Sequence, residues 1–215
     1  MKFVTLLWAA AIVSAPAAAQ QTPPSARERT EGLRVLTQFA DCAADTEPKF
    51  AARYVSSEDR LPEDEWRQLV DKRCLGFNGG KLRMDGFYFR GALAQRLLAK
   101  RSTGPVTDFA NVPPLTWAAS GDTPRHVMQE YALRLGECIS RAQPVGAREL
   151  FVTKVGSEAE RGAISALAPQ ISGCVPPGEQ VRINRIDLRT GMAVSYYRLV
   201  DISAGTNKTQ RAPDA

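Results

Sequence analysis

The chain can be laid on itself through its cysteines, and that self-match limits its fold more than any other feature. Placing Cys138 on Cys42 gives an offset of 96 without a gap. Phe39-Ala40-Asp41-Cys42 then falls on Leu135-Gly136-Glu137-Cys138, Pro48 on Pro144, and Tyr54-Val55 on Leu150-Phe151. After a four-residue insertion in the later stretch the offset becomes 100, so Cys174 falls on Cys74 and Gly191 on Gly91. Leu82-Arg83-Met84 corresponds to Val181-Arg182-Ile183 with a one-residue slip. Self-similarity at a fixed period marks a duplicated supersecondary unit. The expected fold is mainly α with minor β: a tandem duplication of three to four helices plus one short strand, with units over residues 31–100 and 123–200. Each unit holds one cysteine pair, which predicts disulfides Cys42 to Cys74 and Cys138 to Cys174. Closing loops of this size stabilises a fold by about 3.5 to 4 kcal/mol each in the chain-entropy account, with native strain subtracting from it.

Within each unit the apolar periodicity is helical. Leu33, Leu36, Phe39, Ala40 and Ala43 form one stripe. Val127, Tyr131, Leu135 and Ile139 form its counterpart after the N-terminal signal Thr123-Pro124. Pro48 and Pro144 break each helix and start a short second one. A third follows from Pro62 in one unit and, in the other, from Ser157 with Glu160, the spacing of a capping box. Turns at Asn78-Gly79-Gly80 and Pro176-Pro177-Gly178 precede one short alternating strand per unit and a last helix. Gly91 and Gly191 sit inside those last helices, where glycine costs about 1 kcal/mol relative to alanine, so close helix packing is expected there. Residues 20–30 form a flexible lead and residues 201–215 a disordered tail. The linker 101–122 packs on the body, because a free tether has no use for Phe109, Val112, Leu115 and Trp117.

Composition narrows the function mainly by exclusion. Lys2, the apolar run from Phe3 and the small residues Ala17-Ala18-Ala19 read as a secretory signal peptide over residues 1–19, so the expected location is periplasmic or secreted. That run is too short for a membrane span, and no later stretch is as apolar. Its removal leaves 27 basic and 23 acidic groups with no basic cluster, which argues against nucleic acid as a partner. With His126 the only histidine, zinc sites built on several imidazoles are excluded. No nucleophile elbow, Ser-x-x-Lys motif, phosphate loop or dinucleotide turn is present. No cofactor or metal is implied.

The remaining candidates are few. His126 follows Pro124 in a first helical turn, where nothing nominates a partner to orient it as a base. Glu63-Asp64-Glu65 suits the positive end of a helix dipole better than a two-carboxylate site. Arg83 and Arg182 hold equivalent strand positions, and guanidinium geometry suits an anion between the units. Phe109, Leu115 and Trp117 could form an apolar contact surface. The leading expectation is an exported, non-enzymatic module that meets a protein or envelope partner. The alternative is a periplasmic binder of a small anionic ligand at the cleft between units, using Arg83 and Arg182.

Overall fold

The structure, a computed structural model, describes residues 25–57, 61–70, 72–75, 85–101, 108–117 and 123–210. Among these residues it is helical: α1 (Ala26–Thr46), α2 (Pro48–Ser56), α3 (Glu63–Leu69), a 3-10 turn (Lys72–Leu75), α4 (Gly86–Lys100), α5 (Pro124–Ala142), α6 (Pro144–Val152), α7 (Glu158–Ala166), α8 (Ala168–Gly173) and α9 (Arg185–Gln210). Two disulfides close Cys42 to Cys74 and Cys138 to Cys174, with Cα–Cα distances of 5.5 and 5.8 Å. No helix among the described residues is long and apolar enough to cross a membrane.

Local chemistry sets the helix ends. Ser25 and Glu28 form a reciprocal capping box that starts α1. The helix stops at Glu47 because Pro48 has no N–H to give and disfavours helical geometry in the residue before it. Glu47 accordingly takes φ −127°, ψ 61°, and Pro48 opens α2 in the first-turn position where its missing N–H costs nothing. The same corner recurs at Gln143-Pro144, with φ −145°, ψ 70°. Asp85 caps α4 by accepting from the Phe87 N–H. Asn184 caps α9 by accepting from the Ile186 and Asp187 N–H groups.

α9 is the spine. Residues 187–199 are buried without interruption, and the helix borders two cores. Ala193, Val194 and Tyr197 join Phe39, Ala43, Val55, Leu69, Phe89 and Leu93. Leu188, Met192, Tyr196 and Leu199 join Leu135, Ile139, Leu150, Leu167 and the linker residues Phe109, Val112 and Leu115. A helix surrounded on all sides needs close approaches, and glycine supplies them. A Cβ on Gly191 would overlap the carbonyl of Ala132, and one on Gly136 would overlap the Gly191 backbone. A Cβ on Gly91 would lie 2.6 Å from Thr190 Cγ2. The two glycines of the last helices thus serve different crossings: Gly91 faces Thr190 across α4–α9, while Gly191 faces α5.

Several sequence expectations are corrected. No strand occurs among the described residues. Residues 181–184 are irregular: they pair with no strand among the described residues and run straight into the Asn184 cap. The expected first strand, with Leu82, Arg83 and Met84, lies outside the described residues, as do residues 1–24. The lead is shorter than expected, since the Ser25 cap starts α1 at Ala26. The segment expected as a tail from Asp201 continues α9 to Gln210, held at its start by Asp201, which accepts from Ser56 and Arg101. The expected third helix of the later unit is two pieces, α7 and α8, divided at Leu167 before Pro169.

Polar side chains strap residues 108–117 to the body. Arg141 donates to the carbonyls of Phe109, Val112 and Pro113, and Glu137 accepts from the Leu115 N–H at 2.9 Å. Arg141 and Glu137 are themselves paired at 2.8 Å. One turn of α5 thereby satisfies backbone groups that would otherwise be buried unpaired.

Candidate functional site

The structure brings together a groove of about 620 Å³ between α1, α4 and the segment 151–155 that leaves α6. Its polar wall is one face of α1, where Thr30, Arg34, Thr37, Gln38 and Asp41 recur at helical spacing opposite the apolar stripe. Ala92, Gln95, Arg96 and Ala99 of α4 form the base, with Arg189 of α9. Phe151, Val152 and Val155 form an apolar wall facing α1, and Lys154 stands on it. Val152 is 77% exposed, unusual for a branched apolar side chain beside a cavity. A volume of this size falls within the roughly 300–1,000 Å³ of ordinary small-molecule sites.

Arg189 makes the apolar wall rigid. Its Nε donates to Gln95 Oε1 at 2.8 Å. Its Nη1 donates to Thr153 Oγ1 and Glu160 Oε1, and its Nη2 to the carbonyls of Phe151 and Thr153. Every direction of the guanidinium fork is used, and the Arg189 and Glu160 side chains are each only 5% exposed. Burial pulls the Arg189 pKa below its ordinary value, and the Glu160 charge opposes that fall. Glu160 accepts from the Gly156 N–H with its other oxygen, while its own N–H donates to Ser157 Oγ. Gly156 has φ +79°, which favours glycine, and so lets the chain turn back to Glu160. The loop from Phe151 to Glu160 is therefore tied to α4 and α9 through one ion pair.

The charges of the groove are unevenly matched. Arg34 is paired with Glu31, and Arg96 makes a two-pronged contact with Asp45, which Lys100 also meets. These bonds hold the Asp45 carboxyl down to about 2, the bond from Arg96 contributing most. Asp41 and Lys154 differ: among the described residues neither side chain has a hydrogen bond or an ion pair. Burial raises the Asp41 pKa; Arg96 opposes this and Asp45 adds to it.

The sequence-derived candidates fall elsewhere. Arg182 is exposed in the segment before α9 and does not line the groove, and Arg83 lies outside the described residues. Phe109 and Leu115 are buried in the second core and offer no contact surface. Trp117 is half-buried against both cores, with the Arg198 guanidinium 4.5 Å from its ring centroid. Phe109 and Leu115 are covered because Arg141 and Glu137 draw their backbone onto α5. The His126 N–H donates to Thr123 Oγ1. Its Nδ1 is buried with no hydrogen-bond partner among the described residues. Glu63 pairs with Arg67 and Glu65 with Arg53, as first-turn acids do. No group of three or more potential metal ligands occurs among the described residues.

Arg34, Asp41, Arg96 and Lys154 were not singled out as a site by sequence reasoning. Only the α1 face left a trace, as a stripe of polar residues every three or four positions. Comparison with protein-family models, with curated proteins and with solved structures found no match.

Proposed function

We propose that this chain is an exported, non-enzymatic binding protein made of two copies of one helical unit, whose groove takes a small amphiphile by its anionic group. The observation that carries the reading is the groove itself: an apolar wall of Phe151, Val152 and Val155 faces polar α1, with the cations Arg34, Arg96 and Lys154 around it. The loss of Phe109 and Leu115 to the core removes the surface that favoured a protein partner.

Duplication is supported by repeated local structure. α1 and α2 end and begin at residues 46, 48 and 56, and α5 and α6 at 142, 144 and 152, each later by the same 96 residues. The capped helix starts at Asp85 and Asn184 place Tyr88 level with Asp187 and Gly91 level with Thr190. Both pairs touch, as positions near a twofold axis do. On this reading the groove lies between the copies, with α1 and α4 from the first and residues 151–155 from the second. Export is supported by the pattern of residues 1–19 and by two disulfides, which persist mainly in oxidising compartments.

Thermal denaturation in the presence of octanoate, octanol and octylamine tests the reading. Octanoate is expected to raise the midpoint more than either of the others, and Val152→Asp is expected to abolish that rise. Equal midpoints in all three would remove the proposal.

A further inference from the structure

We infer that the ligand of the groove is a short peptide with both termini free, its ammonium at Asp41 and its carboxylate at Lys154 and Arg34. The inference rests on the groove being a ligand site and adds the class of ligand. Two charged side chains in one groove, each without a hydrogen bond or ion pair among the described residues, give the argument. Asp41 is negative and half-buried, and Lys154 is positive.

These two lie at different heights along α1. A Cβ on Gly156 would come within 3.4 Å of Thr30 Cγ2, so the loop carrying Lys154 meets α1 at its Thr30 end, beside Arg34. Asp41 is seven residues further on, about 10 Å at a rise of ~1.5 Å per residue. An extended chain advances about 3.3–3.6 Å per residue, so about three residues span that distance. Between the poles, Gln38 offers an amide to a peptide backbone, while Phe151 and Val152 face a side chain. An amphiphile with a single charge would leave Asp41 unmatched.

Other charges near Asp41 do not reverse the assignment. Arg96 is turned to Asp45, which holds it with two hydrogen bonds, and Asp45 itself adds negative potential at the same end. Among the described residues Arg34 is held only by the exposed Glu31, a pair that a carboxylate can join at little cost.

Isothermal titration of the disulfide-bonded protein with Ala-Leu-Ala, its N-acetyl form, its C-terminal amide and octanoate tests the inference. Free Ala-Leu-Ala is expected to bind, and blocking either terminus to weaken it about tenfold, the scale of one charge-assisted hydrogen bond. Asp41→Asn should weaken the free peptide similarly and erase the penalty of acetylation. Lys154→Gln should do the same for the amide. Octanoate binding without peptide binding would overturn the inference and leave the groove reading standing; no binding of either overturns both. Peptide binding indifferent to both blocked termini would also overturn it. Melting curves of both variants that match the wild type show that any loss arises at the groove.

Discussion

The two corners where a second helix turns into a third are built from similar parts and finished differently. At the later corner Glu160, third residue of α7, completes a cap with Ser157 and meets Arg189, whose donors are all used. At the earlier corner Glu65, third residue of α3, follows Pro62, which offers no side-chain cap. Glu65 pairs with Arg53 at 2.7 Å, and its Oε2 has no hydrogen-bond partner among the described residues. Arg90, which sits where Arg189 sits relative to the capped start of its helix, rests 4.7 Å from the Tyr54 ring centroid, its Nε also without a partner among the described residues. The same chemistry, closed in one place and open in the other, marks which corner must stand still. The closed one carries the groove wall.

Breaking the closed corner is expected to cost most. Glu160→Ala leaves Arg189 buried and uncompensated, a loss of about 3–5 kcal/mol in urea unfolding. The matching Glu65→Ala should lose about 1 kcal/mol or less, because Arg53 is well exposed. Equal losses would show that the corners do not differ. Removing either disulfide by paired Cys→Ser changes is expected to cost about 3–4 kcal/mol. Non-reducing peptide maps should recover Cys42 with Cys74 and Cys138 with Cys174, and any Cys42–Cys138 peptide would break the pairing.

Ser157→Ala opens the later corner only partly, and about 1 kcal/mol should be lost with the cap. The smallest effect separates two neighbours on α1 by pH. Asp45, depressed to about 2, supports the fold above its unfolded pKa, and that support fades as pH falls toward 2. Its contribution stays below about 1 kcal/mol because the side chain is 42% exposed. Asp41, raised by burial, works in the opposite sense: stability falls as pH rises from its unfolded pKa through its folded one. Carboxyl carbon chemical shifts followed by NMR from acid to neutral pH should show Asp41 titrating above Asp45. The reverse order would contradict the burial of Asp41.

The helical corners were legible in the sequence because proline and the caps act on their immediate neighbours. The cysteine pairing was legible because the self-match sorted the four cysteines into two pairs, Cys42 with Cys74 and Cys138 with Cys174. The groove was not, since it depends on residues 151–155 meeting α1 more than a hundred positions away. The burial of Arg189 was hidden for another reason: periodicity cannot say which side of a helix is wet when the helix is enclosed all round. The linker aromatics were read as packed on the body and also as a candidate surface. Arg141 and Glu137, which decide between the two, look in sequence like an ordinary pair four residues apart on a helix.

The placement of α9 sets the order in which the molecule can be finished. Phe39, Val55, Phe89 and Leu93 are covered only when Ala193, Val194 and Tyr197 arrive. A chain synthesised from its amino end must hold its first hundred residues without their lid until almost the last ones are made. The first core is therefore completed by the last helix to be made, although Cys42 and Cys74 both exist long before it and are free to pair early.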